Sequence, residues 1–398
     1  MTEPQRLDPE VIKQYLEAGI SGQCAPSMCV GILLKDGTHY EIAAGHHTYD
    51  PKSKETEITD IYDLASLTKV IATTLIIMKL YEDNILNLDE PLINFMPEIL
   101  NIQTLNEEWR HKITARYLLA HCAGFSATVP LSDFPPRSTL KYRKLIVVNS
   151  VLAYQPGTQT IWSDVGFMLL YIVADELLKS RRVRKAEDRN LTPEQYLTKY
   201  FLDPLEMVDT CYNPLQHGKD KHRIVPTEKS VEAKPGELYL WGEVHDQKAR
   251  HVGGVDGHAG LFSTVPDLLR FIELILNGGT YNGKQLLKPE TIALFMTKAD
   301  IAPESSRCLG FDTNYVSAGI YSSMYSVGHT GFTGTFINID PVYGVGYVLL
   351  ANAVHPDRSS KQEHNFFGFR NQLGSLIYEQ LGFTDNPHPN NVASPTNK

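Results

Sequence analysis

The sequence predicts an α/β (α+β) fold: an antiparallel sheet flanked by helices and built from both chain ends, with a mostly helical lobe inserted between them. Three observations predict it. Two short runs, residues 28–34 and 38–45, flank Lys35-Asp36-Gly37, a hairpin signal. From residue 58 to about 264 the pattern is helical, with long loops. After residue 326 strand-like runs return, at 334–340 and 345–352. On this reading residues 1–57 and 265–383 form a sheet lobe and 58–264 a helical lobe. Residues 384–398, polar and rich in Pro and Asn, form a disordered tail.

The elements follow in order. Residues 7–18 carry Val11, Ile12, Tyr15 and Leu16 on one helical face, so a helix precedes the hairpin. Residues 70–80 are an apolar run broken only by Thr73, Thr74 and Lys79, which reads as a buried helix entered at Ser66. Residues 113–125 have a Thr N-cap, an apolar face and a Gly stop. His121 in this stretch reads as a helix-end histidine that bonds carbonyls rather than as a base. Residues 166–178 form a further helix, and Thr192-Pro193-Glu194 starts another with a cap and an N1 proline. Residues 266–279 are amphipathic and end on two glycines. Residues 366–381 close the fold as a helix.

Composition narrows the function. A chain of 398 residues with 42% hydrophobic content has length for a sizeable core. With 37 Lys and Arg against 46 Asp and Glu, the net charge is −9, which argues against nucleic acid and anionic membranes as partners. The basic cluster Arg181-Arg182-Val183-Arg184-Lys185 is followed at once by Glu187 and Asp188 and reads as a solvated loop. The five cysteines match no zinc or redox spacing. No signal peptide and no membrane span are legible. The expectation is a soluble cytoplasmic protein with free thiols, or an exported one if a leader has been trimmed. Nothing in the pattern bears on oligomeric state.

Ser66 and Lys69 lie three positions apart at the start of the apolar run. On a helix they share a face, so a hydroxyl is held beside an amine at the positive end of the helix dipole. That is one way to activate a weakly acidic nucleophile. A Ser-x-x-Lys pair also arises by chance. Two later stretches stand in the order such chemistry needs: Pro156-Gly157 with Trp162-Ser163-Asp164, and Gly328-His329-Thr330-Gly331. Together these resemble the three motifs of the serine β-lactamase and penicillin-binding protein superfamily, nearest its class C-like branch of esterases, D-amino-acid peptidases and related hydrolases. The resemblance runs from about residue 26 to 383.

The resemblance implies a serine hydrolase. Ser66 would form an acyl-enzyme and Lys69 would ease its deprotonation. Backbone N–H groups of Ser66 and Phe332 would hold the oxyanion. His329 stands where many relatives carry Lys and would be a weaker fixed cation near neutral pH. Thr330 would bond a substrate carboxylate, Gly331 would let substrate pass close to the strand, and His245 and His258 are substrate-contact candidates. Asp164 could bond Lys69 and keep it charged. The departure is Trp162, where the family has Tyr or Ser: an indole N–H only donates and cannot shuttle a proton. Either another group does so, or Trp162 is a pocket wall and activity is weak or altered. The expected partner is a small-molecule or peptide-like substrate, and no metal or other cofactor is implied. The contrasting reading is an inactive binding or assembly protein on the same fold.

Overall fold

The computed structural model describes residues 6–100, 106–130, 133, 135, 139–313 and 315–384. Beyond Thr384, the expected tail lies outside the described residues. The main sheet has five antiparallel strands: β1 (Ser27–Leu34), β2 (His39–Gly45), β3 (Val327–Thr330), β4 (Phe336–Asp340) and β5 (Val345–Ala351), in the order β2-β1-β5-β4-β3. Strands from opposite ends of the chain are therefore neighbours, with Met28 opposite Ala351 and Leu34 opposite Val345.

Side chains alternate along a strand, so β1 serves two cores. Cys29 and Leu33 face one, shared with Val348 and Leu350 of β5. Met28, Val30, Ile32 and Leu34 face the other, shared with Tyr347 and Leu349. The first face is covered by the helix Val265–Leu276, which starts on a Thr264 cap. It packs directly onto Gly31 and Gly346, where a Cβ would collide with Val265 and Ile272. The second face is covered by the helices Pro9–Ser21 and Phe366–Gln380 through Ile12, Leu16, Leu373 and Ile377.

The helical region contains Leu75–Glu82, Ala115–Leu119, Leu140–Val148, Asp164–Lys179 and Pro193–Leu197. Thr114, Thr139, Ser163 and Thr192 each cap a helix by accepting a backbone N–H. A small sheet of Tyr62–Asp63, Leu261–Ser263 and Cys211–Tyr212 brings distant parts of the chain together beside Ser66.

Two expectations change. The single helix entered at Ser66 is three pieces: a 3-10 turn at Ala65–Leu67, a π-type stretch at Lys69–Thr74, and an α-helix only from Leu75 to Glu82. Hydroxyls accompany the widened turns, Thr74 Oγ1 donating to the Lys69 carbonyl at 2.8 Å and Thr73 Oγ1 to the Gly257 carbonyl at 2.7 Å. The helix expected from residue 166 begins at Asp164, which puts that carboxylate in its first turn. All five cysteines are free thiols. No described helix is long and apolar enough to cross a membrane.

Candidate active site

The site is built on a tight turn. The Asp63 carboxylate accepts the N–H of Ala65 at 2.8 Å and that of His245 at 2.6 Å. Ala65 is held at φ 47, a left-handed conformation that an L-residue adopts at a cost. Thr68 Oγ1 donates to the Ala65 carbonyl and accepts the Leu261 N–H, which ties the turn to the small sheet. Ser66 sits in the 3-10 turn, where residues three apart eclipse, so Lys69 lies directly beside it. Lys69 is fully buried, and its Nζ donates to Ser66 Oγ at 2.8 Å, Asp164 Oδ1 at 2.8 Å and the His258 carbonyl at 2.9 Å. Three acceptors match the three N–H donors of an ammonium.

Asp164 and Trp162 arrive on either side of a helix cap. The Ser163 N–H donates to His121 Nδ1 at 3.0 Å, its hydroxyl to the Ser126 carbonyl at 2.6 Å, and the Asp164 N–H to the Ala127 carbonyl at 2.8 Å. His121 therefore accepts an amide rather than bonding carbonyls with its ring, and it anchors the backbone of the middle motif. It stacks on Trp162 with ring centroids 6.3 Å apart. The Trp162 ring in turn covers Lys69, whose Nζ is 4.9 Å from its centroid, within cation–π range.

His329 differs from the weak cation that the sequence suggests. It is buried, and burial together with the nearby Lys69 and Arg307 charges pushes its imidazole down to about 3, so it is neutral near pH 7. Its Nδ1–H donates to the Thr330 carbonyl at 2.8 Å. Gly331 also has another neighbour than expected: a Cβ there would strike Thr335 Oγ1 and the Leu64 carbonyl. Its bareness lets the end of β3 abut the nucleophile turn, where Thr335 Oγ1 donates to Leu64 O at 2.9 Å and Thr333 Oγ1 to Asp63 O at 2.8 Å.

His258 is buried, with Nε2 3.0 Å from Asp246 Oδ1 and Nδ1 3.6 Å from Asp256 Oδ1. Burial alone would lower its imidazole, but the charges of Asp246, Asp164 and Asp256 outweigh that and hold it at about 10. Asp164, Asp246 and His258 bring one ligand atom each within 4.8 Å of one another. Those groups are already engaged, Asp164 with the Lys69 ammonium and Asp246 with the His258 imidazolium.

A cavity of about 340 Å³ opens over Ser66. Trp162, Phe332 and Ala259 give it apolar walls, and Asp164, His258 and Lys248 also line it. Thr330, Gly331, His329 and Lys69 are not among its lining residues. Ser66 and Phe332, the two expected oxyanion donors, both are. Phe332 stacks on His245 at 5.6 Å, and His245 Nε2 is fixed by Glu228 at 2.8 Å. Glu228 also takes a fork from Arg358, at 2.7 and 2.6 Å. Asp246, Asp256 and Lys248 were missed as site residues. The stretch Val244-His245-Asp246 and the glycine-rich run at 253–260 carried the signal for Asp246 and Asp256; Lys248 lies in neither.

The beta-lactamase family model matches residues 11–366, nearly the whole length of the chain. The chain belongs to the beta-lactamase family. A protein of Escherichia coli (strain K12) named as a D-alanyl-D-alanine carboxypeptidase is 30% identical over 323 residues, covering 76% of this chain and 71% of that protein. Among solved structures, simvastatin synthase from Aspergillus terreus matches with a TM-score of 0.69 at 17% identity, covering 94% of this chain and 100% of that one. EstCE1, a hydrolase with promiscuous acyltransferase activity, matches with a TM-score of 0.68 at 16% identity, covering 92% and 98%. The octameric penicillin-binding protein homologue from Pyrococcus abyssi matches at 0.65 and 19%, covering 95% and 80%. At these identities the structural matches establish the fold. Family and named relatives together make this chain a serine hydrolase of the beta-lactamase family.

Proposed function

We propose that the chain cleaves an ester or amide through an acyl-enzyme on Ser66. The observation that carries this is the buried Lys69 Nζ, bonded at once to Ser66 Oγ, Asp164 and the His258 carbonyl. An ammonium so placed stabilises a developing alkoxide, and the adjacent carboxylate gives its proton somewhere to go. When Oγ attacks the carbonyl carbon, Lys69 passes a proton to Asp164 and takes the one that Ser66 releases. The N–H groups of Ser66 and Phe332 would hold the oxyanion. Collapse expels the alcohol or amine with a proton returned from Lys69, which Asp164 reprotonates. Water then attacks the acyl-enzyme, giving a proton to Lys69 by the same exchange with Asp164, and Ser66 Oγ leaves protonated as the acid is released.

Trp162 bears on the leaving group. It fills the space over Lys69 with a ring that neither accepts nor relays a proton. Leaving groups that need little protonation are therefore favoured, so activated esters should react far better than amides or β-lactams. The same placement supports a second reading, a binding protein whose site is closed to catalysis by Trp162.

One experiment separates the two: intact-mass analysis after exposure to a fluorophosphonate, a penicillin and p-nitrophenyl acetate. A stoichiometric adduct mapped to Ser66 supports the hydrolase. No adduct with any of the three supports the binding protein.

A further inference from the structure

Arg143 lies on the helix Leu140–Val148, does not line the cavity, and is 1% exposed. A buried guanidinium needs a matching charge; Arg143 has one, although its Nε is left without a hydrogen-bond partner among the described residues. Its Nη1 donates to the Val255 carbonyl at 3.0 Å and lies 3.2 Å from Asp256 Oδ2, and the group stacks on Tyr171 at 4.7 Å. One cation therefore holds both the backbone and a side chain of residues 255–258.

That short stretch supplies two carbonyls to the nucleophile segment. Gly257 O accepts Thr73 Oγ1 at 2.7 Å, and His258 O accepts Lys69 Nζ at 2.9 Å. Its side chains continue the charge alternation, Arg143 to Asp256, Asp256 to His258, and His258 to Asp246. On its other side Gly257 is pressed against the Phe167 carbonyl and Tyr171, where a Cβ would collide. The stretch is clamped from two sides, and Arg143 is one of the clamps.

We propose that Arg143 is a positioning residue for the reaction: by fixing residues 255–258 it sets where the His258 carbonyl holds Lys69, and thereby the alignment of Lys69 on Ser66. If the stretch relaxes, Nζ keeps its ionic bond to Asp164 and drifts off Ser66 Oγ. The inference rests on the reading of Ser66 as the nucleophile.

The test is the time course of fluorophosphonate labelling of Ser66, followed by intact mass. The amplitude counts intact sites, and the rate constant reports how well the nucleophile is activated. Arg143→Met should label to full amplitude at a rate lower by about 10- to 100-fold, the scale of a misplacement of about 1 Å. Arg143→Lys keeps the charge but not the planar fork, and its rate should fall in between. Asp256→Asn added to Arg143→Met removes the stranded carboxylate and aids folding without restoring the rate. Where Arg143→Met does not fold, the Lys variant and the double variant decide: slower labelling at full amplitude supports the inference, and a wild-type rate in either overturns it. A reduced amplitude at the wild-type rate marks a merely structural role and also overturns it. A wild-type protein that never labels overturns the Ser66 reading, and this inference with it.

Discussion

The Nζ atom of Lys69 lies 4.9 Å from the centroid of the Trp162 ring, with Ser66 Oγ 2.8 Å away from that same nitrogen. An aromatic face sits over the ammonium where a proton-carrying hydroxyl would otherwise serve. General acid–base help is worth about 10²–10⁴-fold, and indole cannot give it. Trp162→Tyr should therefore raise turnover of an amide or β-lactam more than that of an activated ester. Measuring kcat/KM for one p-nitrophenyl ester and one cephalosporin on both proteins checks this. An unchanged ester-to-cephalosporin ratio means that Trp162 only fills space.

In the proposed reaction Asp164, 2.8 Å from Lys69 Nζ, takes the Lys69 proton. Asp164→Asn keeps an acceptor for Nζ and removes the base, so kcat for an activated ester should fall by about 100-fold or more. Steady-state kinetics on the folded variant decide the matter. A rate within threefold of wild type would show that the proton leaves by another route.

The His258 imidazole, held at about 10 by surrounding carboxylates, makes stability depend on alkaline pH. The group is raised above its ordinary value near 6.5, so its contribution is fully present below about pH 6.5 and is lost as pH rises through about 10. Asp246 has the opposite sign: burial opposes its ionisation but the His258 charge outweighs that, so its pKa is lowered and its contribution is lost in acid. The unfolding temperature should fall between pH 7 and 10, and His258→Gln should flatten that fall. Parallel profiles for the two proteins would sink the assignment.

Lys248 lines the cavity and has no ion-pair partner among the described residues, whereas Arg358 is committed to Glu228. With His329 neutral and the His258 imidazolium paired with Asp246, Lys248 is the lining cation without an ion-pair partner among the described residues, free to meet an anionic substrate group. For p-nitrophenyl esters of equal size, one neutral and one ending in a carboxylate, Lys248→Gln should lower the anionic-to-neutral ratio of kcat/KM by about tenfold, on the scale of an interaction with a charged group. A ratio that does not move means that the charge on Lys248 is not read.

The parts of the site legible in the sequence are those carried by contiguous short motifs. Ser66 and Lys69 are three residues apart, and Trp162 and Asp164 straddle one cap, so local geometry alone brings them near each other. The sheet was legible because the strand-like runs at 28–34 and 38–45 give way to a helical pattern near residue 58 and return only after residue 326. What escaped depends on contacts distant in sequence. The π-type widening after Lys69 is accompanied by a Thr73 hydroxyl that reaches Gly257, 184 positions away. The neutrality of His329 follows from burial beside Lys69 and Arg307, which a motif cannot display. Arg143 is one of three basic residues on the helix Leu140–Val148, and its carbonyl partner stands 112 positions further on.

The central claim is that bond cleavage passes through an ester on Ser66. Acid-quenching the protein during turnover of p-nitrophenyl acetate, followed by peptide mass mapping, tests it most directly. The account predicts one acetyl group on the peptide that contains Ser66, and neither acetylation nor turnover in Ser66→Ala. Sustained turnover by the folded Ser66→Ala protein, or an acetyl group found only on another residue, would contradict it.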